Sequence, residues 1–166
     1  MIRSVQDFIT VWQQEAASTT KLLKELTDDS IKSSGTQLHR DIGKLAWHIT
    51  TTIREMMERT GLPVEGPDPH SRVPTSAAEI APAYEASAAS LVTALGNWTE
   101  ADLDTEDNLY GEPWKRSLTL QILLLHQTHH RGQMTVLMRQ AGLPMHGMYG
   151  PTKEDWAKYG MPTPEI

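Results

Sequence analysis

The chain contains no cysteine. Disulfides, thiolate metal ligands and a cysteine nucleophile are therefore all excluded. A chain without cysteine suits a reducing compartment, so a cytoplasmic location is the expectation. No apolar run approaches the roughly 18 residues of a membrane span, and no membrane partner is expected. The opening segment Met1 to Asp7 lacks the apolar core of a signal peptide. Basic charge is also scarce: 15 Lys and Arg stand against 21 Asp and Glu, a net −6. Nucleic acid is thus not expected as a partner, because neutralising phosphates needs a basic surface. There is no internal repeat, and no sustained alternation of apolar and polar residues that would make a sheet of any size. What remains is 39% hydrophobic and 166 residues long, an ordinary globular composition and about one domain's worth of chain, read as 1–166.

Helical periodicity supplies the content. Val5, Phe8, Ile9, Trp12, Ala16, Thr19, Leu22, Leu23 and Leu26 recur at steps of three and four, which predicts an amphipathic helix ended by the polar cluster Thr27 to Ser30. A second helix is predicted over Gln37 to Arg59, with Thr36 as N-cap, Gly61 as its stop, and a stripe of Leu38, Ile42, Leu45, Ile49, Ile53 and Met56. Residues 61–74 then carry four prolines and two glycines and exclude regular structure. Extended, this segment reaches roughly 45–50 Å. That is enough to retrace the roughly 33–35 Å of helix two and to start helix three parallel to it.

Ser76 and Glu79 have capping-box spacing at the start of helix three, which tolerates Pro82 in its first turn and runs to Gly96. Asn97 to Pro113 reads as a helical turn near Thr99 to Asp102 or as a short hairpin around Leu109 to Glu112. Helix four is predicted over Ser117 to Gln140, with Leu118, Ile122, Leu125, His126, His129, Val136 and Leu137 turned inward, and Gly142 and Pro144 ending it. An ordered tail over about 143–166, with a short helix Lys153 to Tyr159 capped by Thr152, completes the chain. The expected class is all-α: a four-helix bundle with one long crossover between helices two and three.

Seven histidines are present: His39, His48, His70, His126, His129, His130 and His146. His126 and His130 lie four apart, so they share one helix face with roughly 5–6 Å between Cβ atoms. Two imidazoles so placed can converge on one ion at roughly 2.0–2.1 Å each. His48, in the middle of helix two, can supply a third and leave coordination positions open. Apolar flanks favour this reading, since buried imidazoles need partners and a metal accepts their lone pairs. The same spacing also fits a surface cluster or a hydrogen-bonded core histidine, and His129 is a rival ligand. Gln127 stands where a zincin would carry its glutamate, so a zincin peptidase mechanism is unsupported.

The segment Leu124-Leu125-His126-Gln127-Thr128-His129-His130-Arg131-Gly132-Gln133-Met134 resembles the final-helix signature of the DinB family, DNA-damage-inducible bacterial proteins. Leu45-Ala46-Trp47-His48-Ile49 resembles the family's helix-two segment, and Tyr149 to Trp156 a tail found in some members. The resemblance implies a bundle in up-down-down-up order, with one divalent ion held by His48, His126 and His130. Imidazole ligands suit Zn, Ni and Fe alike. It also implies a homodimer. Relatives with this fold include bacillithiol S-transferases and mycothiol-dependent maleylpyruvate isomerases. The implied activity is a metal-dependent thiol S-transfer or a hydrolysis, acting on a small-molecule substrate. Any thiol would be a low-molecular-weight cofactor, since the chain has none of its own.

Two other readings stand beside the enzyme. One is a metal-binding stress-response protein in which the ion braces helices two and four, and the other a plain helical interaction module. Around the site, Arg131 is expected to pair with a carboxylate of a neighbouring helix and Gln133 to pack at the site's edge. Glu55 and Asp41, seven residues to either side of His48, read as solvated carboxylates or as ligand-orienting groups. Trp47, Tyr110 and Trp114 read as core or pocket mouth, and Met56, Met57, Met134 and Met138 as core filler.

Overall fold

The computed structural model of the protein describes residues 2–32 and 41–165. Ser4 starts the first helix, its side chain accepting the Asp7 N–H at 2.9 Å. Helix α1 spans Val5–Leu23 and buries Phe8, Trp12, Ala16, Leu22 and Leu23. It ends three residues short of Leu26, which is buried in the loop beyond it. Helix α2 spans Ile42–Glu58, where Asp41 is the N-cap and accepts from the Lys44 N–H at 2.7 Å. Asp41 is thus a capping residue. The predicted start at Gln37, the Thr36 cap and Leu38 lie outside the described residues. The first turn of α2 presses on the short 3-10 turn Ser30–Lys32: a Cβ on Gly43 would stand 2.6 Å from the Ile31 carbonyl oxygen.

The crossover retraces α2. Arg54 donates to the Gly66 carbonyl at 2.9 Å, and the Trp47 indole donates to Ser71 Oγ at 3.1 Å. As the loop advances, its contacts move back toward the N-terminus of α2. Asp28 then takes the Ala77 N–H at 2.7 Å and the Ser76 hydroxyl at 3.3 Å, which anchors the next helix at that end. The expected Ser76 cap is not made; a carboxylate 49 residues upstream does that work. A 3-10 turn, Ala77–Glu79, leads into α3, Ile80–Leu95, with Pro82 in its first turn as predicted.

Residues 97–115 contain both structures that the sequence left open. A 3-10 turn at Glu100–Asp104, with a Thr99/Asp102 capping box, is followed by β1 (Glu106–Leu109) and β2 (Glu112–Lys115). These strands pair antiparallel through a Tyr110-Gly111 turn in which both residues have positive φ, 57° and 91°. Helix α4, Arg116–Gln140, closes the bundle.

Side-chain contacts give the helix directions. Gln127 of α4 donates to the Ile49 carbonyl at 2.8 Å, and Arg116 donates to the Thr60 carbonyl at 3.1 Å. From Ile49 to Thr60 and from Gln127 back to Arg116 are both intervals of eleven residues, so α2 and α4 run antiparallel in one register. Glu15 meets Arg131, and Glu25 meets His146, so α1 and α4 run the same way. The order is up-down-down-up, and no helix among the described residues is long and apolar enough to cross a membrane.

Helix α4 is rotated from its predicted setting. Its buried residues are Thr119, Leu120, Leu123, Gln127, His130, Arg131, Met134 and Met138. Leu118, Leu125 and Val136, predicted inward, are 41%, 55% and 58% exposed, and His129 is exposed too. The polar pair Gln127 and Arg131 takes the inner face because each finds buried partners there.

The tail packs along α1 and α4. Tyr149 donates to Glu15 at 2.6 Å, His146 lies 2.8 Å from Glu25, and Arg139 pairs with Glu154 at 2.8 Å. Its helix is shorter than predicted, a 3-10 turn over Trp156–Tyr159. Asp155 accepts the Thr152 N–H at 2.9 Å, so Thr152 is a donor to this turn and not its cap.

Candidate metal centre

The α2–α4 register sets His48 level with the turn between His126 and His130. His48 Nε2 lies 3.2 Å from His126 Nε2 and 3.2 Å from His130 Nε2. The ligating atoms of all three lie within 4.8 Å of one another. Nitrogens bound tetrahedrally at roughly 2.0–2.1 Å stand roughly 3.3–3.4 Å apart, so the spacing fits a single small cation. His48 Nε2 carries at most one proton, and that proton cannot bridge to both neighbours. The two contacts therefore cannot both be linear hydrogen bonds donated by His48, and a small cation is a group that all three ring nitrogens could face at once.

The surroundings favour a neutral His126 ring. Burial, then the charges of His130, His48 and His129, lower the His126 pKa to about 4. At neutral pH the His126 ring is uncharged and keeps a lone pair on one nitrogen, as a metal ligand must. Its Nδ1 is buried and has no hydrogen-bond partner among the described residues. His130 differs: its Nδ1 lies 2.8 Å from Gln133 Oε1. The Thr52 hydroxyl donates to the His48 carbonyl, within α2.

The other candidates fall away from the cluster. His129 lies outside it, with its Nε2 3.1 Å from the Gln133 amide nitrogen. His70 is exposed on the crossover, and His146 is the tail's contact to Glu25. His39 lies outside the described residues. Glu55 is neither a ligand nor a free surface carboxylate: it pairs with Arg59 at 2.8 Å and accepts from Tyr110 Oη at 2.9 Å. Its charge reaches His126, where it weakly opposes the downward shift. Tyr110 lies under the Arg59 guanidinium and edge-on to Trp114, so the hairpin tip rests on Glu55. Trp47 pins the crossover through Ser71. Arg131 pairs with Glu15 of α1, as expected of a signature arginine.

Gln127 was missed as a structural residue. It accepts from Tyr84 Oη at 3.3 Å while donating to Ile49, and so joins α2, α3 and α4 beside the histidines. An amide amid Leu123, Leu124 and Leu125 was the available signal, because a buried amide must find partners.

A family model for the DinB family matches residues 1–165. The chain belongs to the DinB family. A Bacillus subtilis (strain 168) protein called uncharacterized protein YrdA is 41% identical over 167 residues, covering all of both chains. The crystal structure of a DinB-like protein from Bacillus cereus ATCC 10987 superposes with a TM-score of 0.86 at 43% identity, covering 90% of this chain and 100% of that one. A second DinB-like structure, YjoA from Bacillus subtilis, gives a TM-score of 0.66 at 20% identity, with 84% and 96% covered, and so shares the fold. In this DinB-family chain, the three histidines on the matching segments are the ones brought together, and they could hold a metal ion.

Proposed function

We propose that this DinB-family protein binds one divalent ion through the Nε2 atoms of His48, His126 and His130, and that it is a metal-dependent enzyme for a small-molecule substrate, catalysing thiol S-transfer or hydrolysis. The supporting observation is the convergence of three ring nitrogens, with His48 Nε2 at 3.2 Å from both others. Zn, Ni and Fe all suit three imidazoles. The ion would supply Lewis acidity, lowering the pKa of a thiol or water that reaches its open side. His48, His126 and His130 are neutral ligands and leave the ion's charge uncompensated. A thiol for the transfer comes from solution, since the chain carries no cysteine.

The bracing reading is the weaker one because α2 and α4 are already bolted together. Gln127 reaches Ile49 beside the cluster, and Arg116 reaches Thr60 eleven residues farther along the chain. The experiment is metal analysis of the purified protein, followed by turnover assays with Zn, Ni and Fe and a panel of low-molecular-weight thiols and electrophiles. Stoichiometric metal with ion-dependent turnover supports the enzyme. Stoichiometric metal without turnover, with a melting temperature that collapses on chelation, would replace it by the brace.

A further inference from the structure

His130 can present a lone pair to the cluster only if its proton sits on Nδ1, and two neighbouring side chains control that choice. Nδ1 lies 2.8 Å from Gln133 Oε1, which can only accept. The Gln133 amide nitrogen, which can only donate, lies 3.1 Å from His129 Nε2. This arrangement has a consistent proton assignment. His130 Nδ1 donates to the amide oxygen, the amide nitrogen donates to His129 Nε2, and His130 Nε2 keeps its lone pair beside His48 and His126.

The swapped amide would have the reverse effect. Its nitrogen would donate to His130 Nδ1, the ring proton would move to Nε2, and the lone pair facing the cluster would be lost. Only one amide orientation is compatible with a ligating His130, and it requires His129 to accept. We propose that Gln133 and His129 are positioning residues that lock His130 in its metal-ligating tautomer. His129, a rival ligand by spacing, thus acts on the site through an amide. This rests on the metal reading above.

Gln133 and His129 are both exposed, so substituting them leaves the core untouched. The test has two readouts: zinc affinity, by competition with a chromophoric chelator, and the His130 ring tautomer, by nitrogen NMR on the metal-free protein. Gln133→Leu should weaken zinc binding 10- to 100-fold, as loss of a ligand's outer partner does. It should also turn His130 into a tautomer mixture while the metal-free melting temperature holds. Gln133→Glu, whose carboxylate accepts in either orientation, should bind zinc at least as tightly as the parent. His129→Phe should cost about 2- to 10-fold, one net hydrogen bond, and nothing in the Gln133→Glu background. An unchanged affinity and tautomer in Gln133→Leu would overturn the proposal. An equal loss from His129→Phe in both backgrounds would make His129 a ligand instead. A parent protein that binds neither zinc nor nickel would remove the metal reading, and the NMR tautomers would still decide the lock.

Discussion

Arg131 and His126 sit little more than one turn apart on α4, and their surroundings differ in kind. Arg131 is 2% exposed, and its partners form a closed set. Nη1 donates to the Glu15 carbonyl at 3.2 Å and to Thr19 Oγ1 at 2.9 Å, while Nη2 donates to Glu15 Oε2 at 2.5 Å and to Tyr149 Oη at 2.8 Å. Tyr149 in turn donates to Glu15, so the charge is neutralised and hydrogen-bonded within the chain. On the other side of the helix, His126 Nδ1 is buried with no hydrogen-bond partner among the described residues, and its Nε2 belongs to a crowded cluster of imidazoles. A polar cluster that completes itself is architecture. One that gathers three ring nitrogens about a single point could hold a metal ion, and that capacity separates a candidate site from a strut.

The contrast can be broken most forcefully at Arg131. Arg131→Ala leaves Glu15 part-buried beside an empty space, and it unlatches the tail from α1. Breaking a buried pair on one side costs about 3–5 kcal/mol. Urea denaturation should show a loss of that size, while zinc affinity of the folded protein stays close to the parent's. A loss under about 1 kcal/mol would place the Arg131 cluster on the functional side of the molecule.

His126→Ala should do the converse. Outer partners of a ligand are worth 10–100-fold in affinity, so a ligand itself should cost more than about 100-fold in zinc binding. The metal-free protein should melt at the parent's temperature or slightly above it, because the variant removes a half-buried ring whose Nδ1 has no hydrogen-bond partner among the described residues. A marked fall in metal-free melting temperature would show that the ring supports the bundle directly.

The same ring gives the pH dependence its sign. The folded His126 pKa, about 4, lies below its ordinary value of 6.5. Between those values the unfolded chain takes up a proton that the folded chain refuses, so stability rises with pH across this window and falls as pH drops through it. Metal-free protein should therefore unfold at lower urea at pH 5 than at pH 7, and His126→Ala should flatten the difference. Identical slopes in the two proteins would assign the effect to other groups.

The four helices and the His126/His130 pair were legible because they rest on local rules, steps of three and four along a helix and one turn between the two rings, while the resemblance to the DinB family added His48. The rotation of α4 was not. Leu118, Leu120, Ile122, Leu123, Leu124 and Leu125 make the first half of that helix apolar almost all round, so the period marks no single face. The inner face is chosen by Gln127 and Arg131, whose partners lie 78 and 116 residues away in sequence. A local pattern can show that such a residue needs a partner but not which distant residue supplies it, and the same holds for Asp28 at the start of α3. The tautomer lock lies between these cases. Its residues are adjacent, but the roles of His129 and Gln133 appear only once the direction of each ring nitrogen is known.

The smallest expected effect is at Gly132, on the exposed row of α4 with Leu125 and Val136. A Cβ there would meet nothing within 4 Å. Glycine inside a helix costs roughly 0.5–1 kcal/mol relative to alanine, through the freedom it loses on folding. Gly132→Ala should therefore stabilise the protein by about that amount in urea, and zinc affinity should not change. Light scattering should be run alongside, because the expected homodimer gives the result a second meaning. If this row faces solvent, alanine adds stability and leaves the mass alone. If alanine instead destabilises the protein, or halves its mass in solution, a second copy occupies the space beside Gly132. The exposed row would then belong with Arg131 as architecture, leaving the three histidines as the group that could hold a metal ion.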